Sequence, residues 1–309
     1  MDVLSLGIIV ADIVARPVNE FPEKGKLVLV DDMQLHTGGC AVNTGVALNR
    51  LGVSTGIMGK VGNDGFGDFL LKVLKEEGLD IRGVKIEKGC YTSSTMVIVD
   101  PDGERRFIHY IGANGKFGRE DIDWEIISET QILHVAGAML MPSLDGQPLA
   151  ELMKKAKQMR KITSLDTAGD VSPKSLPLIE DALPYVDYFL PSFEEAKMLS
   201  REDKPETIAE FFLKRGVKVI GIKMGERGCY TTDGEKEIKI PACKVKVVDT
   251  TGAGDAFVGG FLVGVLENWD LEYTTRFANT VGAFCVQEIG ASQGIKSREE
   301  VTRFLESYR

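Results

Sequence analysis

The sequence has no C-x-x-C pair, and its five cysteines (Cys40, Cys90, Cys229, Cys243, Cys285) are odd in number. That argues against a disulfide scaffold and points to a reducing, cytoplasmic compartment. Histidine is scarce. His36, His109 and His134 have no close metal-ligand spacing, which argues against a structural zinc site. No apolar run reaches membrane length. The run 3–10 is too short for a signal or a span, and Met1-Asp2 carries no basic flank, so no membrane partner is expected. Excess basic charge is also lacking. A net charge of −9 argues against nonspecific nucleic-acid binding, although a local basic pocket could still take an anionic substrate. Neither G-x-G-x-x-G nor G-x-x-x-x-G-K-[ST] occurs, so the dinucleotide and P-loop motifs are absent. Internal repeats and low-complexity tracts are missing too.

What is present is an ordinary globular composition, 43% hydrophobic and 27% charged over 309 residues. The length is ample for one α/β core with an appendage. The chain is organised around Val247-Val-Asp-Thr-Thr-Gly-Ala-Gly-Asp-Ala-Phe-Val-Gly-Gly-Phe261. A β-branched run breaks at Gly252-Ala253-Gly254 and continues with helical apolar spacing. The first N–H groups of such a helix lack intrahelical acceptors, and the helix dipole adds positive charge, which makes an anion site. Asp255 would repel a phosphate bound there. It suits a hydroxyl poised to attack phosphorus, whose proton a carboxylate can take. The local pattern fits equally an Asp255 that complements the helix dipole beside a tight glycine turn.

Taken in order, residues 3–10 read as a strand buried on both faces, ending at Asp12. Ligands of open α/β sheets sit beyond such strand ends, although Asp12 also reads as a turn residue. Residues 16–36 break the rhythm with Pro17, Pro22 and Gly25, and 26–30 has β potential. Thr37-Gly38-Gly39 opens an apolar-striped helix that stops at Gly52. Asn43 inside it is unusual, because asparagine favours helix interiors poorly unless its amide has a partner. A strand at 53–61 and a helix at 68–77 follow. Residues 92–99, the turn 100–103 and 105–110 suggest a hairpin carrying Arg105, Arg106 and His109.

Strands are then expected at 131–136, 161–165 (ending at Asp166), 187–190 and 217–223 (ending at Lys223). Helices are expected at 149–160, from Ser192 through Glu195 to 199, at 206–215, 253–266, 271–286 and 298–308. This alternation implies a mainly parallel, doubly wound sheet covered on both faces. Gly225-x-x-Gly228 reads as a hairpin turn into 229–232. Gly259, Gly260 and Gly264 cost helix stability and predict close packing.

Asp249-Thr-Thr-Gly-Ala-Gly-Asp255 followed by Ala-Phe-Val-Gly-Gly resembles the C-terminal signature of the ribokinase-like (PfkB) family of sugar and nucleoside kinases. Gly38-Gly39-x-x-x-Asn43 resembles its N-terminal signature, about two hundred residues earlier, and the resemblance spans essentially the full length. It implies a three-layer α/β/α fold with a small β-lid, ATP and Mg2+ as cofactors, and a small sugar as substrate. It makes Asp255 the catalytic base and Gly252, Ala253 and Gly254 the anion hole. Asp12, Gly38, Gly39 and Asn43 would contact sugar hydroxyls. Glu195 matches the family position for magnesium and phosphates, while Ser192 replaces the family's asparagine; a hydroxyl can also donate to phosphate. Lys223, Gly225, Gly228 and Asn279, with Gly290-Ala291-Ser292, fall on the nucleotide side. Asp249 and Thr251 match positions that ligate a monovalent cation, commonly potassium, in some members, and they also read as capping and turn residues.

The reading is an ATP-dependent kinase for a primary hydroxyl of a small sugar or sugar derivative. Its α/β domain is expected at 1–12, 37–89 and 113–309, with a lid at 13–36 and 90–112 that also pairs two subunits. A nucleoside kinase of the same family and a catalytically idle sugar-binding regulator are the alternatives. A dinucleotide-dependent oxidoreductase lacks its glycine motif.

Overall fold

The computed structural model describes residues 1–101, 104–169 and 172–307. The chain opens with strand β1 (Val3–Gly7), then β2 (Val10–Arg16) and β3 (Asp32–Gly38), helix α1 (Cys40–Arg50), β4 (Thr55–Gly62), α2 (Gly65–Glu76) and β5 (Asp80–Glu87). Next come β6 (Ser94–Val99), β7 (Arg105–Tyr110), α3 (Trp124–Ser128), β8 (Ile132–Ala138), α4 (Gln147–Gln158), β9 (Ile162–Thr167) and β10 (Tyr188–Phe189). The rest is α5 (Phe193–Ser200), α6 (Pro205–Leu213), β11 (Val219–Lys223), β12 (Cys229–Thr232), β13 (Glu237–Ile240), α7 (Ala253–Leu266), α8 (Leu271–Cys285) and α9 (Arg298–Ser307).

Nine strands form the main sheet, in the order β13-β12-β11-β10-β9-β8-β1-β4-β5. Only β12 and β13 run antiparallel to their neighbours. Chain order runs outward in both directions from β1, which lies between β4 and β8. Its carboxyl end is therefore a topological switch point, where a crevice opens. One face of the sheet packs on α3 to α6, through Ile126, Leu149, Met153, Leu199 and Phe212. The other packs on α1, α7 and α8, through Leu48, Phe261 and Phe277, with α2 beside α1. No helix of the described residues is long and apolar enough to cross a membrane.

The glycines of α7 pack closely, as expected. A Cβ at Gly259 would come within 2.8 Å of Ala47 Cβ on α1, and one at Gly264 within 2.5 Å of Thr274 Oγ1 on α8.

The second sheet has four strands, β3-β2-β6-β7, and forms the lid. Its central pair is parallel and its outer pairs antiparallel. Segment 26–30, expected to have β character, pairs with nothing: Leu27 and Leu29 are exposed, and the strand begins at Asp32. The expected turn 100–103 includes Asp102 and Gly103, which lie outside the described residues. Asn114 fixes the lid's root. Its Oδ1 accepts the Ile9 N–H at 3.1 Å, and its Nδ2 donates to Ile9 O at 3.1 Å.

Candidate active site

Alternation along a strand sends every second side chain to one face. On the lid, the inward set forms rungs given by the pairing register. Nearest the hinge, His36, Asp12, Thr95 and His109 stand abreast. Val14, Val97 and Phe107 form the next rung, and Arg16, Val99 and Arg105 lie at the far end. All of these line one cavity of about 870 Å³ between lid and main sheet. Its floor comes from beyond the carboxyl ends of β1, β8 and β9, at Ile8, Leu140 and Ala168, and from Gly39, Cys40 and Asn43 at the start of α1. Val248, Asp249, Thr251 and Ile289 to Ala291 close the remaining side.

Asp12 is mostly buried. Burial pushes its pKa up to about 6, against the opposing hydrogen bond from Thr95. A Cβ at Gly38 would sit 2.0 Å from Asp12 Oδ2, so glycine is what lets the carboxylate lie there. Thr95 Oγ1 in turn lies 3.0 Å from His109 Nδ1, and burial lowers the pKa of His109. Gly39 has φ +91°, and a Cβ there would come within 2.4 Å of Ile8 O. Any other residue would be strained at this start of α1.

Across the cavity, Gly252 precedes α7 with φ +74°, and a Cβ would meet Ala291 O at 2.1 Å. This close approach seats the start of α7 against the segment that follows α8. Asp255, in that first turn, accepts a 2.8 Å hydrogen bond from Asn43 Nδ2. That explains the asparagine in a helix interior. Burial pushes the Asp255 pKa up, while Lys223, Asn43 and Cys40 hold it back. The Lys223 ammonium lies beside the same helix start: its Nζ is 3.3 Å from where a Gly254 Cβ would be, and it donates to Asp166 Oδ2 at 2.6 Å. Burial opposes its charge, but Asp166, Glu195 and Asp255 outweigh burial and raise its pKa.

Of the sugar-side residues of the sequence reading, Asp12, Gly39 and Asn43 line one cavity, Gly38 packs against Asp12, and Asp255 is reached through Asn43. Of the residues expected on the nucleotide side, Gly290 and Ala291 line that cavity, while Ser192, Glu195, Lys223, Gly225, Gly228 and Asn279 do not. Ser192 and Glu195 lock each other in a capping box at the start of α5. Ser192 Oγ donates to Glu195 Oε2 at 2.6 Å, and the Glu195 N–H returns to Ser192 Oγ at 3.3 Å. Gly225 and Gly228 form the tight turn from β11 to β12, closed by Gly228 N–H to Gly225 O at 2.9 Å. Asn279 Nδ2 donates to Pro241 O at 2.9 Å, fastening α8 to the segment after β13.

Asp249 Oδ1 accepts the Thr251 N–H at 2.7 Å, and its Oδ2 accepts the Gly290 N–H at 2.8 Å. Arg105, from the lid, forms an ion pair with the same carboxylate. Sequence reasoning missed Asp166, His36, Thr95 and Phe107 as site residues. The strand patterns identified their elements, but which strands are neighbours decides what they face.

Known proteins match this geometry. The pfkB family carbohydrate kinase model covers residues 1–298. The 2-dehydro-3-deoxygluconokinase of Bacillus subtilis is 30% identical over 92% of its length and 93% of this chain. The structure of Arabidopsis thaliana ribokinase complexed with ribose and ATP superposes with a TM-score of 0.87 at 26% identity, covering 99% of this chain and 98% of that one. A putative ribokinase II of E. coli, in complex with ATP and Mg2+, gives 0.85 at 27% identity and covers 99% of each. The two signatures, the lid over a switch-point cavity and a match of nearly full length agree: the chain belongs to the pfkB family of carbohydrate kinases, phosphotransferases with an alcohol group as acceptor.

Proposed function

We propose that this sugar kinase transfers the γ-phosphate of ATP to a primary hydroxyl of a small, neutral sugar or sugar derivative. The observation that carries the reading is the pairing of Asp255 with Asn43 at the start of α7, beside Lys223 and the Gly252–Ala253–Gly254 backbone. Asp255 accepts the hydroxyl proton. The N–H groups at the helix start, aided by the Lys223 ammonium, stabilise charge on the transferring group. Asp12, Gly38, Gly39 and Asn43 hold the sugar hydroxyls. Ser192, Glu195, Gly225, Gly228 and Asn279 serve the nucleotide side. A bound Mg2+ would supply charge neutralisation across the phosphates, and besides Asp255 the carboxylates that act on Lys223 are Glu195 and Asp166.

Neutrality of the substrate follows from the lid's arginines. Arg16 is paired with Asp32 and Arg105 with Asp249, so each cation at the far end of the cavity already has its carboxylate. The hinge-side rung, Asp12, Thr95 and two histidines, suits hydroxyls. A second reading, a nucleoside kinase, draws support from the apolar rung Val14, Val97 and Phe107, which suits a flat apolar group attached to the sugar. We further propose a cytoplasmic location, with which five unpaired cysteines are in keeping, and a homodimer through the lid's outer face.

The test is ADP release over a panel of neutral sugars, sugar acids and nucleosides. A neutral monosaccharide with the highest kcat/KM supports the first reading, and a nucleoside supports the second. A sugar acid as best substrate refutes the neutral pocket. Tight sugar binding with no turnover of any compound leaves a sugar-binding regulator.

A further inference from the structure

The resemblance implied a monovalent cation at Asp249 and Thr251. The residues present do not suit one. Both Asp249 oxygens already accept backbone N–H groups, from Thr251 and Gly290, and these two bonds tie the segment entering α7 to the segment following α8. The Asp249 side chain is only 5% exposed, and the guanidinium of Arg105 covers it from the lid. A potassium ion would have to collect nearby carbonyl oxygens as well. Cys285 Sγ lies 3.2 Å from Ala291 O and 3.5 Å from Thr251 O, and Arg50 Nη1 donates to Ser292 O at 2.6 Å. The Ser292 oxygen is thus taken by Arg50, and the single Cys285 thiol proton serves one of the Ala291 and Thr251 oxygens at a time.

We propose that Arg105 is a positioning residue that replaces the monovalent cation, so that the charge balance of the anion hole is completed by the lid. This rests on the kinase reading above. A carboxylate beside the helix start that receives phosphoryl charge opposes that charge strongly in a water-poor cavity, unless a cation offsets it. Asp249 cannot be dispensed with, because it holds the two segments together. Arg105 offsets it from β7, the outermost strand of the lid on that side. Lid closure and assembly of the anion hole then become one event. A guanidinium suits the place better than an ammonium, because its planar fork meets a carboxylate broadside.

The experiment compares wild type with Arg105→Met, Arg105→Lys, Asp249→Asn and the double variant Arg105→Met/Asp249→Asn. Each is assayed in potassium chloride and in tetramethylammonium chloride at equal ionic strength. Thermal midpoints are read on every protein, and kcat and KM wherever a substrate is turned over. Wild type should give the same midpoint and turnover in both salts. Arg105→Met should lower kcat at least about tenfold while sugar KM changes less than about threefold. Arg105→Lys should recover part of the loss. The midpoint loss of the double variant should be smaller than the sum of the single losses.

A wild-type midpoint or turnover raised by potassium, an unchanged kcat in Arg105→Met, or additive midpoint losses overturns the proposal. The midpoints do not depend on turnover. A chain that phosphorylates no sugar but shows non-additive midpoints would refute the kinase reading and retain the Arg105–Asp249 coupling.

Discussion

Asp255 and Asn43 are 212 positions apart and meet at 2.8 Å, each explaining what is odd about the other. A carboxylate at a helix start is common; one buried, its pKa raised, and held by a helix-interior asparagine is placed for proton transfer. Asp255→Asn keeps the size and the contact with α1 but removes the basicity. It should fold with an unchanged melting profile and lose about 10²-fold or more in kcat. Intact wild-type kcat should fall as pH drops through a range above that of an ordinary carboxylate, because burial favours the protonated form. Near-normal turnover of the asparagine variant would remove Asp255 from the chemistry. Asp255, Asn43 and the glycines were legible because their signals are local, a glycine turn and a residue poor in its context. Asp12, expected at the end of one strand over 3–10, lies instead inside β2 of the lid, because that run divides at Ile8-Ile9 between the two sheets. Thr95, Phe107 and Asp166 were not legible, because their role depends on which strands lie beside theirs. Arg105 stood out only as one of three polar residues on a hairpin. Nothing in the linear sequence ties it to Asp249.

Elements with strong punctuation were read almost to the residue. Helix α7 runs from Ala253 to Leu266 as expected, because a glycine cap and an unbroken apolar run define it. Strand β5 was not anticipated at all: an edge strand with a mixed burial pattern lacks both alternation and a continuous apolar run. Segment 26–30 shows the reverse error, since apolar residues without a neighbouring strand make no ladder. Inside the sheet, β1, β8 and β9 carry Ser5, His134 and Ser164 in one register. His134 Nδ1 lies 3.1 Å from Ser164 Oγ, while its Nε2 is buried without a partner. Burial pushes its pKa down to about 3, from an ordinary 6.5. The unfolded chain therefore takes up this proton first as pH falls below 6.5, and the stability of the neutral, buried imidazole is progressively lost toward pH 3. Against His134→Gln, which cannot titrate, the wild-type stability should drop by about 2 kcal/mol more between pH 7 and pH 5. Denaturant unfolding at both pH values reads this difference, and a constant gap would mean that the folded imidazole accepts the proton.

At the scale of the whole molecule, the lid has two different faces and so two tasks. The inner face grades from polar at the hinge to apolar and then to paired charge, and it roofs the cavity. The outer face exposes Met33, Leu35, Met96, Ile108 and Tyr110, an apolar grouping that a lone domain rarely leaves open. Water beside a γ-phosphate competes with the sugar hydroxyl, so a kinase gains by sealing the cavity only once substrate is present. The lid joins the main sheet through short connections near Ile9 and Asn114, which places any hinge there. Adding the correct sugar should slow amide exchange in β2, β3, β6 and β7 together, with little change in β8 and β9. Unchanged exchange under a saturating, turned-over sugar would show that this sheet does not close. Under the proposed homodimer, a second copy meeting the lid face to face would cover the exposed face and the edges of β3 and β7 with two-fold symmetry. Light scattering should therefore give twice the 33.8 kDa chain mass. Charged substitution at Met96 and Ile108 should return it to one chain without loss of melting cooperativity. A monomeric wild type would leave the closing motion untouched and assign the apolar face to a different partner.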